Sequence, residues 1–393
     1  MRDARGVAVD SMMEPPDGSI MAPRQLEIRF TGSGSEYFRI WIVNLLLVLV
    51  TFTLYYPWAK VRRLRYFNGN TLIDGSPLGF HGDPRKMFRG YLLVGLLFVA
   101  YSVAGHFSVL AGVVALIVVA AIAPALLRSS MRFRLANTSW RGMRFVFSGS
   151  LDGAYRAMVP VFVPALVTVG AVPFMANPDK PPAWYAVFLG GVVLSSLAIA
   201  PWLLWNLKRY QHDNYGLASL QTGFKATIGA FYWLTVRCLG VMLLSLALVA
   251  AMAAASIFIF QSGLFTGLRP PPRYLVPWIL LALMAMYVAP LAYFLVGLQN
   301  LVWTKTGNRS MRFISKLRFS RYFLLTVKNW LLMLLTLGLY WPFAAVAVTR
   351  LRLEAVTIKT RQEPATLVSL LQASDVEAAG DAAGDLLDID IGL

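Results

Sequence analysis

Between Tyr91 and Leu127, and again between Cys238 and Phe260, the chain runs for more than 18 residues with almost no charge. No other feature limits the possible folds so sharply. In water such stretches are an aggregation hazard; in a bilayer they have the length of a spanning helix. The composition agrees: 58% of residues are hydrophobic and 14% charged, against about 25% charged in a soluble domain. The fold class expected is an all-α polytopic membrane protein with 6–8 transmembrane helices, arranged as helical hairpins with short β-strands on the cytoplasmic face.

The net charge of +17 would suggest nucleic acid in a soluble protein. Its placement argues otherwise. The loops 59–90, 128–156, 207–230 and 303–328 hold 23 lysines and arginines, while the connections 105–110, 176–183 and 261–277 hold three. That is the positive-inside pattern. It places the basic loops in the cytoplasm against anionic lipid headgroups, the partner expected here. Residues 1–20 have no apolar core, so no cleaved signal is expected. Cys238 is the single cysteine, which leaves no intrachain disulfide and no cysteine-based metal site. No cofactor is expected.

Hydrophobic segments fall at about 38–58, 88–106, 108–127, 157–176, 183–206, 231–260, 278–302 and 324–348. The six inner ones pair into in–out–in hairpins, broken at 102–108, 177–182 and 261–277, the last two rich in proline and glycine. They form one membrane domain over 24–361. Residues 1–23 and the acidic stretch 362–393, with seven carboxylates and no basic residue, are expected to be disordered tails.

A spaced pattern recurs within the domain. Five prolines, Pro57, Pro124, Pro201, Pro290 and Pro342, are followed eight residues later by Arg65, Arg132, Arg209, Leu298 and Arg350. Thirteen residues on stand Asn70, Asn137, Asn214, Trp303 and Ala355; twenty-three on stand Phe80, Phe147, Phe224 and Phe313. The segment Phe30–Gly32–Phe38 supplies the second half of a further copy. The proline is expected to end or kink a helix near the interface, and the arginine to cap its cytoplasmic end and reach lipid phosphates. The Asn–Thr should open a strand, as the alternation in MRFVFSG suggests. LEIRFTG (26–32) and AVTIKT (355–360) read the same way.

The first and last copies are short. Phe38 to Pro57 and Phe323 to Pro342 are 19 residues each, against 36 to 58 in the middle copies. At about 1.5 Å per residue, 19 residues cross a bilayer once and not twice. Both segments share a Tyr–aromatic–Pro sequence and aligned Asn44/Asn329, Thr51/Thr336 and Tyr55/Tyr340. Two readings stay open: each segment spans once, or each dips in and returns, with break points at Thr51–Phe52–Thr53 and Thr336–Leu337–Gly338. Non-helical backbone at that depth has to be buried or line a cavity. Asn44, Thr51, Tyr55, Asn329, Thr336 and Tyr340 are therefore the candidate cavity-lining set.

The stretch FTGSGSEYFRIWIVNLLLVLVTFTLYYPWAKVRRLRYFNGNTLIDGSPLGFHG (30–82), with NTSWRGMRFVFSGS (137–150) and LLTLGLYWPF (334–343), resembles a bacterial membrane-protein family typified by YjgN, a domain of unknown function. The resemblance covers about 25–360 and implies a multi-pass protein of the bacterial inner membrane. It implies no catalytic residues. Thr51–Phe52–Thr53 departs from the family's Thr–Leu–Gly, which Thr336–Leu337–Gly338 keeps.

Catalytic motifs are absent from the sequence. His81, His106 and His212 stand apart, and no HExxH, CxxC or phosphate-loop pattern occurs. The protein is expected not to be an enzyme. None of the 19 Asp and Glu falls in a hydrophobic segment, which opposes a carboxylate relay for ion-coupled transport. Candidate anion or lipid contacts are Arg65, Arg132, Arg209, Arg350 and Arg237, the last alone inside an apolar run. The favoured function is a membrane scaffold, lipid-interacting factor or component of an envelope complex. The alternative is a transporter or channel for a small solute or anion, built on paired re-entrant segments.

Overall fold

The structure, a computed structural model, describes residues 24–174, 182–217, 220–261 and 275–360. The two expected tails and most of the breaks at 177–182 and 261–277 lie outside them.

Each long helical pair rises from, and returns to, one sheet. In chain order the elements are β1 (Arg24–Phe30), α1 (Gly34–Val50), α2 (Tyr56–Gly69), β2 (Thr71–Ile73), β3 (Ser76–Phe80), α3 (Pro84–Phe107) and α4 (Val109–Ala136). Then come β4 (Thr138–Trp140), β5 (Met143–Phe147), α5 (Leu151–Gly170), α6 (Ala183–Asp213), β6 (Tyr215–Leu217), β7 (Leu220–Gln221) and β8 (Gly223–Phe224). The chain continues through α7 (Ile228–Gln261), α8 (Leu275–Thr304), β9 (Thr306–Gly307), β10 (Met311–Ser315), α9 (Phe319–Leu335), α10 (Trp341–Glu354) and β11 (Val356–Thr360). The expected break at 102–108 is a single residue: Ser108 accepts from the Ala111 amide at 3.0 Å and starts α4 directly after α3.

The expected short strands join into one antiparallel sheet of eleven, in the order β7-β6-β5-β4-β3-β2-β1-β11-β10-β9-β8. Its two ends, β7 and β8, are separated in the chain only by Thr222. Residues 220–221 pair with β6 and 223–224 with β9, so the sheet closes on itself. Closure removes the free edges that short strands would otherwise expose. Tight turns fix the register. Asp74–Gly75 and Arg141–Gly142 sit at positive φ (49°, 74° and 50°, 84°), the left-handed conformation that a two-residue hairpin turn requires. The fifth hairpin has no connecting turn. It forms from opposite ends of the sequence, β1 on β11 in the register Leu26↔Ile358.

Strand alternation sends Leu26, Trp140, Met143, Leu217 and Ile358 into the middle of the ring, packed with Ile28, Ile73, Leu78, Phe145, Leu220, Met311 and Phe313. All five hairpins contribute to this core. Five further clusters sit between the sheet and the helices. Each has one equivalent buried residue from the first turn of the outgoing helix: Tyr37, Met87, Ala154, Phe231 and Tyr322.

One backbone bond occurs at all five places where an outgoing segment leaves the sheet. Thr31 donates to Asn70 (2.9 Å), His81 to Asn137 (2.8 Å), Ser148 to Asn214 (3.0 Å), Lys225 to Lys305 (2.8 Å) and Lys316 to Ala355 (2.8 Å). Asn70, Asn137 and Asn214 also cap the returning helices, each giving its side-chain amide to the carbonyl four residues back. These bonds correct the alignment around Pro290. Lys305, and not Trp303, holds the place of Asn70, and Ser315, and not Phe313, pairs where Phe80 does. α8 carries two extra residues, and Phe313 belongs to the central core.

The prolines are all buried. Pro57 and Pro342 stand in the first turn of α2 and α10, as expected for residues lacking an amide hydrogen. Pro124, Pro201 and Pro290 lie inside α4, α6 and α8, which continue through them. Of the two expected outcomes, ending or kinking a helix, ending does not occur at these three. Tyr155 and Tyr232 donate to the Ala121 and Ala198 carbonyls, next in the chain to the carbonyls that Pro124 and Pro201 leave without their helical donors.

Segments 34–69 and 319–354 double back. β1 pairs directly with β2 and β10 with β11, so both ends of each segment lie at the sheet. Their turns, at Thr51–Tyr55 and Thr336–Tyr340, match bond for bond. Thr53 donates to Val48 at 2.8 Å and Gly338 to Met333 at 2.7 Å. Phe52 and Leu337 both sit near φ 48° (47° and 49°). The tips are apolar and bare, with Phe52 88% and Leu337 93% exposed.

Candidate functional site

Among the described residues, ten α-helices follow the strand order around the closed sheet. α10 packs on α1, α2 on α3, α4 on α5, α6 on α7 and α8 on α9. Among the described residues five helices are long and apolar enough to cross a membrane, and no more than 17% of the residues in their spanning windows are buried. Such a thin wall leaves one face to the surroundings and another to the interior of the ring.

Two observations show which face is which. Arg62, five residues after Pro57, reaches out to Asn44 on the outgoing helix α1 (3.4 Å). Residues three, seven and ten after a proline lie within about 60° of one another on the opposite side of the helix. On that side stand Lys60 on α2, Arg134 on α4, Lys208 on α6 and Arg352 on α10. Allowing for the two extra residues, Gln299 on α8 joins them. Two of these residues, on the returning helices α10 and α8 of neighbouring hairpins, bond directly to each other. Arg352 Nε donates to Gln299 Oε1 at 2.7 Å, and Gln299 Nε2 donates to the Arg352 carbonyl at 2.9 Å. The returning helices form the inner wall, and each adds a cation or an amide to it.

No carboxylate stands at positions three, seven or ten on any of the five returning helices. Burial, reinforced by Arg134, pushes the Lys60 ammonium below the usual lysine value. Just beneath, on β6, burial pushes the Tyr215 phenol up to about 12 despite the positive Arg134, so it stays neutral at physiological pH. Among the described residues no group of three His, Cys, Asp or Glu is placed to hold a metal.

The candidate residues named from sequence lie elsewhere. Thr51 and Thr336 stitch the two turns: each hydroxyl donates to a carbonyl four residues back (2.7 Å) and accepts the amide of Tyr55 or Tyr340 (3.0 Å). Thr51 and Tyr55, with Leu54, Trp58 and Phe88, also line a cleft of about 200 Å³. Tyr340 stacks on Phe343. Asn44 accepts from Arg62, whereas Asn329, 3% exposed, has no partner for either side-chain polar atom.

Four of the candidate arginines, Arg65, Arg132, Arg209 and Arg350, face the outer side of the returning helices, and Arg237 stands on the outgoing helix α7. Arg65 donates to the Gly82 carbonyl (3.3 Å) and Arg350 to the Gly32 carbonyl (2.8 Å), tying helix ends to the strand exits. Near Arg132, which is half-buried, Arg128 does the same for Gly149 (2.8 Å). Arg209 pairs with Asp213 (3.4 Å) and lies over Trp205. Arg237 lies over the Trp233 ring at 4.8 Å. Lys60, Arg134, Lys208 and Arg352 were not singled out from sequence; their shared face was encoded in their spacing from the prolines.

A mostly helical chain, with five apolar helices of spanning length set on one closed sheet, is a polytopic membrane protein. It belongs to the family described as "Bacterial protein of unknown function (DUF898)", whose pattern matches residues 25–386. It is similar to "Inner membrane protein YjgN" of Salmonella typhimurium (strain LT2), 28% identical over 167 residues, 42% of this chain and 41% of that protein. It is also 28% identical over 142 residues to the protein of that name in Escherichia coli (strain K12), covering 36% and 35%. The chain thus spans about two fifths or less of the length of these relatives. No solved structure matches it.

Proposed function

We propose that this chain is a non-enzymatic, lipid-interacting protein of the bacterial inner membrane, built from five structural repeats closed into a ring. The sheet and the basic loops face the cytoplasm. Helices α3 to α8 cross the bilayer as three hairpins, and the short hairpins α1–α2 and α9–α10 are re-entrant. The relatives' name and the bias of lysine and arginine support the location and orientation. The five matching strand-exit bonds support the repeat.

One observation carries the choice of lipid interaction over solute conduction. The floor of the ring is shut by apolar side chains from every hairpin, Trp140, Met143 and Phe313 among them. A water-filled path would have to pass through that core.

The test is reconstitution in liposomes of phosphatidylethanolamine and phosphatidylglycerol. Chloride, phosphate and potassium flux is expected to equal that of empty liposomes, and native mass spectrometry should find co-purified phospholipid. Flux above background would remove this reading in favour of a channel. For orientation, single cysteines at Lys359 and Ser108 in a Cys238→Ser background are labelled in whole cells. An impermeant reagent should reach only the second.

A further inference from the structure

We propose that the interior of the helix ring is a binding chamber for the phosphate-bearing headgroup of an anionic phospholipid, held by Lys60, Arg134, Lys208 and Arg352 and entered sideways from the bilayer over the two short hairpins. This rests on the lipid-interacting reading and adds the site, the headgroup class and the route.

The charge argument comes first. The four cations sit on one face of four different inner helices, and no acidic residue shares that face. Arg134 opposes the charged form of Lys60. Gln299 is buried and hydrogen-bonded to Arg352, which holds that guanidinium in place. Like charges gathered on one helix face with no acidic partner there destabilise one another unless an anion joins them. A phosphodiester supplies such an anion, with oxygens for several donors at once.

The wall supplies the route. α1 and α2 have 17 and 14 residues, α9 and α10 also 17 and 14, while α3 to α8 have 20 to 34. All five outgoing helices start three residues after the matching strand-exit bond, so the differences in length are differences in height. The first and last hairpins are neighbours, because β1 pairs with β11 and α1 packs on α10. The wall is therefore low along one continuous arc. Its rim is the bare apolar pair of tips at Phe52 and Leu337, which suits acyl chains. Lys60 lies within the first two turns of α2, just below that rim. The apolar floor closes the opposite, aqueous end.

The test uses the full chain in nanodiscs of phosphatidylcholine doped with phosphatidylglycerol. Bound lipid is read by native mass spectrometry and by a photoactivatable phosphatidylglycerol. Wild type is expected to retain phosphatidylglycerol over phosphatidylcholine, with crosslinks on inner-face residues. K60Q/R134Q/K208Q/R352Q should lose that preference about tenfold or more, from the summed attraction of several cations. K208R should keep it, as should a control, K305Q/R309Q/R312Q, that removes basic charge elsewhere. Because the quadruple variant could fold poorly, K60Q/K208Q is measured beside it, with an intermediate loss expected. Wild type retaining phosphatidylglycerol while both inner-face variants retain it equally would overturn the chamber and spare the lipid-interacting reading. No lipid preference in wild type would overturn that reading itself. Displacement by millimolar inorganic phosphate, with no crosslink from the lipid probe, would make the chamber a soluble-anion site and overturn lateral entry.

Discussion

The hairpins α1–α2 and α9–α10 are built on one plan and finished differently. Both turns use a threonine hydroxyl as the internal staple, a first left-handed residue near φ 48° (47° and 49°) and a proline in the first turn of the returning helix. They differ at two places. The second left-handed position is Thr53 (φ 71°) in one and Gly338 (φ 90°) in the other. The buried asparagine is bonded to Arg62 in one, while in the other the aligned residue is Ala347 and Asn329 is left unpartnered. The first hairpin thus carries a strained second position and satisfied polarity, the last a relaxed second position and an unsatisfied amide. A shared turn tolerates either cost, since the bonds that define it do not depend on those side chains.

The strongest blow to the pair falls on the strand that joins them. Ile358→Asp on β11 puts a carboxylate into the central core and is expected to cost roughly 3 kcal/mol or more, seen as early heat aggregation in detergent. Equal stability of that variant and wild type would mean that the core does not hold the two hairpins together.

Next comes a contrast in sign. Asn329→Leu removes two unsatisfied buried atoms and should raise stability by about 1–3 kcal/mol, whereas Asn44→Leu takes an acceptor from Arg62 and should lower it. Thermal melts that move in the same direction would erase the distinction.

Smaller again is the backbone difference. Gly338→Thr has room for its side chain but sits at positive φ, and should cost about 1–2 kcal/mol. Thr53→Gly should gain less than that, because Tyr91 Oη donates to Thr53 Oγ1 (2.9 Å) and that bond is lost. Last, Thr51→Val and Thr336→Val should each cost about 1 kcal/mol and match one another, since each deletes the same two bonds. A clear inequality would show that the turns are not energetically alike.

Much of this architecture was legible locally. Proline, Asn–Thr and the alternating strands are short-range signals, and each acts where the spacing put it: Asn70, Asn137 and Asn214 cap helices, and the segment after each enters a strand. The break at Thr51–Phe52–Thr53 belonged to one of two readings the sequence left open: a 19-residue segment that returns needs such a break, and one that crosses does not. Sheet closure was not visible, because it pairs Leu26 with Ile358 and no local pattern reports a partner so far away. The slip in α8 was hidden by coincidence: Phe313 stands where Phe80 would predict a phenylalanine, but points into the central core. The interior cations were passed over for a related reason. Arginine recurs at the eighth position after four prolines and draws the eye, yet Arg65 and Arg350 there serve the helix ends. The inner face holds Lys60, Arg134, Lys208 and Arg352 at unequal offsets, and only the helical period shows that these offsets share a side.

The split fifth hairpin sets a clock on synthesis. The ring cannot shut until residue 360 has left the ribosome, because β1 waits for β11. Until then the paired helices can enter the membrane one hairpin at a time, while β1 keeps an open edge on the β11 side that any other extended chain could occupy. The interval lengthens with every residue between them, so a ribosome slowed anywhere between β1 and β11 prolongs the danger, and one slowed before β1 does not.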